Sequence, residues 1–158
     1  RNNVLPITLF GLLIGLLMIV WVRLAALTFA VSMGGAHFSL DSSLTLLFFT
    51  GSGLKFLIVF ALIGGLVAAV VFAVSVVSIP MMLDRKIDFI TAVLTSLTAV
   101  RVNPAPMALW AVLIAVFTGI GLITFYLGLA VVLPLIGHAS WHAYRDLVDD
   151  STIEQQPF

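Results

Sequence analysis
The chain has 158 residues, 62% of them hydrophobic and 9% charged, with seven basic and seven acidic side chains and no cysteine. A soluble domain carries roughly a quarter charged residues, so this composition cannot clothe a water-facing exterior, and a bilayer is the solvent it fits. Zero net charge without a Lys/Arg cluster excludes a nucleic-acid surface, and the lack of cysteine excludes disulfides, thiolate metal sites and a catalytic thiol.

The apolar stretches are continuous rather than alternating at period two, which argues against a β-barrel. The class is therefore all-α, a polytopic transmembrane helical bundle. The chain opens on Arg1-Asn2-Asn3, superficially like a signal peptide. However, Leu5 to Val22 is long enough to span, and no small-x-small cleavage site follows closely. The first span is read over 5–30, with Trp21 and Arg23 toward its far end. Arg23 then lies nearer an interface than the bilayer centre, where its guanidinium snorkels to the headgroups or meets another subunit.

Ser32 to Ser52 reads as a loop rich in Gly and Ser, with one acid, Asp41. The second span covers 54–77 and stops before Pro80, and Lys55 serves as an interfacial anchor. Ala61, Gly65, Ala69 and Ala73 recur every four residues and form a ridge of small side chains. Ala111, Ala115 and Gly119 repeat the device further on. Small ridges let helix backbones approach in lipid. They pack this bundle internally or dock another subunit.

The segment 84–101 has Ile87, Ile90, Val93, Leu94, Leu97 and Val100 at helical spacing, with Asp88, Thr91, Thr95 and Thr98 elsewhere. It is expected to be an amphipathic interfacial helix, N-capped by Asp84 and stopped at Asn103-Pro104. One helix from Met107 to Tyr144 would be roughly 57 Å long, nearly twice the hydrocarbon thickness. Two spans, 107–126 and 128–145, fit better, with a break near Tyr126-Leu127-Gly128 and a kink at Pro134. The chain is thus one transmembrane domain, 1–148, with about four spans and a polar tail, 149–158. Arg1, Arg85, Lys86, Arg101 and Arg145 then share one side, and the loop between the first two spans has no Lys or Arg. The positive-inside rule makes the loop 81–104 and the tail cytoplasmic.

The densest chemistry lies in Gly137-His138-Ala139-Ser140-Trp141-His142-Ala143-Tyr144-Arg145-Asp146. His138 and His142 stack four apart on one helical face and can share a metal, although a closed site needs more ligands. Either alone can ligate haem, but both from one helix cannot sandwich it. The competing reading is an interfacial belt, with Trp141 and Tyr144 at headgroup level and Arg145 beside them. No Asp or Glu falls within the proposed spans, and no Walker loop or nucleophile elbow is present. No catalytic residue and no cofactor is assigned.

Two stretches resemble the signature of a known family. They are Ser78-Ile79-Pro80-Met81-Met82-Leu83-Asp84-Arg85, continuing to Asn103-Pro104, and Gly137 through Leu147. The family is that of bacterial predicted integral membrane proteins called domain of unknown function 2189. The resemblance implies an inner-membrane protein in which Arg1 is mid-chain, about six spans in all, and no established activity. The expected function is non-catalytic: an accessory or scaffold subunit of a bacterial inner-membrane complex, such as one for respiratory or photosynthetic electron transfer. The alternatives are metal or haem binding by His138 and His142, and a small-solute transporter.

Overall fold
In lipid no water is available to pair a backbone N–H or C=O, so long apolar segments close their hydrogen bonds internally and become helices. The computed structural model describes residues 3–33 and 43–148. Every regular element among them is α-helical: α1 (Val4–Met33), α2 (Ser43–Phe49), α3 (Gly51–Ser75), α4 (Ser78–Asp84), α5 (Phe89–Val102), α6 (Pro104–Ile123) and α7 (Leu129–Leu147). Three stretches, Val4–Ser32, Gly51–Asp84 and Pro104–Ile123, are long and apolar enough to cross a membrane, and Phe89–Val102 is a shorter apolar helix. The protein is an all-α integral membrane protein. Arg1, His37, Asp41 and the tail 149–158 lie outside the described residues.

Two compact units divide the chain: Phe10–Val71, and Arg1–Leu9 together with Phe72–Phe158. In the first, α1 meets α3 through aromatic rings. Trp21 packs on Phe60 at 5.0 Å between ring centres, Phe60 on Phe56 at 5.3 Å, and Phe56 on Phe29 edge-on at 5.7 Å. Such pairs contribute about 0.5–1.5 kcal/mol beyond their buried area, which matters where lipid removes most hydrophobic drive. The indole lies against Gly64, where a Cβ would stand 2.9 Å from its Cη2 atom. Leu12, Leu16, Leu62 and Leu66 point outward, as lipid-facing side chains should.

In the second unit, α3 ends because of a proline four residues past the break. A helical Pro80 has no N–H for the Val76 carbonyl, and its ring collides with that carbonyl. The helix opens at Val76 and Val77, and α4 restarts with Pro80 in its first turn. Two buried serines repair the opening. The Ser96 hydroxyl donates to Ala73 O (2.7 Å) and accepts from the Val77 N–H (3.2 Å). The Ser78 hydroxyl donates to Val74 O or Ala92 O (2.5 and 3.0 Å).

This repair sets which face of α5 packs inward. Ala92 and Ser96 are buried, while Ile90 and Leu94 are 63% and 57% exposed. Small side chains and one hydroxyl face α4 because its backbone comes close and carries unpaired groups. Ile90 and Leu94 turn outward, while Val93, Leu97 and Val100 are half-buried. The expected N-cap is corrected. Asp84 is the last residue of α4, and Arg85 after it is extended. Asp88 is the cap, accepting from the Thr91 N–H at 2.9 Å, and α5 starts at Phe89.

Pro104 ends α5 and opens α6 at its first turn, where a missing N–H costs nothing. The stretch after Met107 is two helices, α6 and α7. Their turn holds Phe125 and Tyr126 at φ 53° and 67°, unusual for residues other than glycine. Thr124 supplies the turn's polar group: its hydroxyl accepts from the Gly128 N–H (3.0 Å) and donates to Gly121 O (3.0 Å) or Ile120 O (3.2 Å). Gly121 and Gly128 approach so closely that a Cβ on Gly128 would stand 2.9 Å from Gly121 Cα. Phe125 and Leu127, at 89% and 79% exposed, suit immersion in a bilayer surface.

Candidate functional site
The two stretches that stand out in the sequence meet in space. α4 delivers Asp84 and Arg85 at its C-terminal end, and α7 turns back from α6 to deliver Tyr144 beside them. Tyr144 is 1% exposed and packs with Val77 and Met81 in a small core that Trp141, Ile87 and Leu147 cover. Its hydroxyl donates to Asp84 Oδ2 at 3.0 Å and accepts from Arg85 Nε at 3.1 Å. Arg85 Nε lies 3.6 Å from the same Asp84 oxygen. A carboxylate, a guanidinium and a phenol thus close a triangle, in which each charge has an opposite partner and the phenol uses both its donor and its acceptor.

The start of α1 joins this end. Asn3 Nδ2 donates to the carbonyls of Met82 and Arg85, which the end of α4 leaves without helical partners. Around the triangle, Lys86 and Arg145 are exposed. Asp88 lies just beyond, and the Thr91 hydroxyl and then the Thr91 N–H hold its carboxyl below the usual carboxylate range. A groove of about 430 Å³ runs between α5 and the end of α7, lined by Thr91, Thr95, Thr98, Asn103, Leu147 and Val148. The Thr95 and Thr98 hydroxyls donate to their own helix at Thr91 O and Leu94 O.

The other singled-out residues fall elsewhere. His138 and His142 sit exposed on α7 with ring centres 5.1 Å apart. Trp141 packs on Tyr144 in a tilted arrangement at 5.6 Å and points inward from the same helix. Arg23, Lys55 and Arg101 are exposed on α1, α3 and α5. Ala61, Gly65 and Ala69 form an exposed row on α3, and nothing lies within 4 Å of a Cβ placed on Gly65. Ala73 is half-buried, and its carbonyl receives Ser96. On α6, Ala115 is exposed, while Ala111 and Gly119 are half-buried. The triangle itself was not readable beforehand. Tyr144 read as a belt residue and Asp84 as a cap, and only the return of α7 makes them neighbours.

This arrangement holds helix ends together in a chain built to live in a bilayer, and the class it defines is a helical integral membrane protein. Residues 1–84 match the family of predicted integral membrane proteins called domain of unknown function 2189, and the chain belongs to that family. The match takes in α1 to α4 and ends at Asp84. The histidines and Tyr144 lie beyond it. No curated protein and no solved structure matches the chain.

Proposed function
We propose that this chain is a non-catalytic subunit that helps to hold together a larger membrane complex, with its outward small-residue row as the partner face. The observation that carries this reading is the exposed row Ala61, Gly65 and Ala69 on α3. Within the unit, α3 uses Gly64 and Phe60 against α1, so the row one residue round is left for a neighbour. Lipid tails are as apolar as leucine, so a partner helix gains there by close backbone approach rather than by hydrophobicity. Neither α1, α3 nor α6 contains Asp or Glu, which suits a scaffold better than a carboxylate-driven pump.

The test is gentle detergent extraction from native membranes, then size separation, mass spectrometry and an absorption spectrum of the same peak. The expected result is a large peak with defined companions. Haem or flavin absorption there would identify an electron-transfer complex of the inner membrane. Gly65→Leu should shift the chain to the small, free peak while its own fold persists, because a Cβ there meets nothing within 4 Å. A solitary small peak for the unaltered chain would overturn the reading.

A further inference from the structure
We propose that His138 and His142 form a two-imidazole site for a divalent transition-metal ion such as Zn²⁺ or Cu²⁺. Four residues apart on α7, the two rings stand on one face and are both exposed. Their centres are 5.1 Å apart, with ring planes at 72°. An imidazole nitrogen binds zinc at about 2.0–2.1 Å, which places the ring centre about 3.2 Å from the metal. Two such rings at a tetrahedral angle have centres about 5.2 Å apart. The helix therefore already holds the pair at the spacing one metal ion requires. Rotation about χ2, which is broad for histidine, aims the nitrogens at the common point. Haem is a different case, because its two axial rings stand about 6.4 Å apart and approach from opposite sides, which one helix face cannot supply.

The helix beneath the pair is anchored by packing. Trp141, between the histidines in sequence, and Tyr144, just after them, anchor another face of α7 in the core with Val77 and Met81. No third His, Cys, Asp or Glu joins the pair among the described residues. Asp146 is eight positions beyond His138, about 12 Å along the axis, and outside one coordination sphere. Two positions on the metal stay open to water or to a donor from another molecule. That coordination marks an exchangeable site rather than a closed structural one.

The test uses the purified chain in detergent, stripped of metal and free of any histidine tag. Calorimetric titration with Zn²⁺ should show one ion per chain. His138→Ala and His142→Ala should each weaken binding at least tenfold, and the double variant should abolish it. Bound Cu²⁺ should give an electron paramagnetic resonance spectrum with two coordinated nitrogens. Both side chains are exposed, so far-ultraviolet circular dichroism of every variant should match the parent and separate lost binding from lost fold. Equal affinity in parent and double variant, or a one-nitrogen copper spectrum, would overturn the proposal.

Discussion
Ser96 closes the opening that Pro80 makes in the second spanning stretch. Its hydroxyl is at once donor to Ala73 and acceptor from Val77, and Ser96 and Val77 are fully buried. Removing a buried partner leaves backbone groups unsatisfied, at a cost of about 1–3 kcal/mol. Ser96→Ala should therefore lower the thermal midpoint in detergent clearly. Thr98→Ala, which loses only an exposed bond to its own helix at Leu94, should stay within about 0.5 kcal/mol of the parent. Equal effects from the two variants would contradict this role for Ser96. The triangle of Asp84, Arg85 and Tyr144 follows the same logic, since each group's stability depends on the other two.

At the level of elements, adjacent glycines on α3 have opposite duties. Gly64 is where the Trp21 indole rests, and Gly65 faces open space. A methyl at position 64 forces the indole to tip, and overpacking of this kind costs about 1–3 kcal/mol against a helix-propensity gain of up to about 1 kcal/mol. Gly64→Ala should come out destabilising and Gly65→Ala neutral or better, measured as unfolding in mixed micelles. Pairing Gly64→Ala with Trp21→Leu should cost less than the sum of the two changes, because the smaller side chain removes the clash. A strictly additive double variant would show that the two residues do not touch. The sequence displayed the four-residue ridge through Gly65 and not the role of Gly64. Periodicity marks small residues, while only an aromatic ring from another helix shows which of them is pressed.

For the whole molecule, the contact of Tyr144 with Asp84 and Arg85 decides where the chain returns. α6 leads away and α7 turns back, so Arg145 comes to the end of the unit where α4 stops. A buried phenol hydrogen-bonded across the end is the physical reason for that return. The chain has no cysteine, so single-cysteine labelling is clean. Lys86→Cys and Arg145→Cys should react with a membrane-impermeant thiol reagent from one side, and Ser52→Cys from the other. Lys86→Cys and Arg145→Cys labelling from opposite faces would refute this topology.

The sequence by itself determined the solvent, the helical class, the apolar stretches and the break before Pro80. These rest on local chemistry: hydropathy over a window, and a ring without an N–H. It also placed the histidines four apart, since spacing on one helix needs no tertiary information. Tertiary structure alone decided that Ala92 and Ser96 of α5 face inward while Ile90 and Leu94 face out. It alone made Tyr144 a buried partner of residues some sixty positions away. In lipid the apolar side of a helix is not the buried side, so hydropathy loses its power to say which face packs. Close approach and unpaired backbone groups choose the face instead, and they exist only once the helices have met.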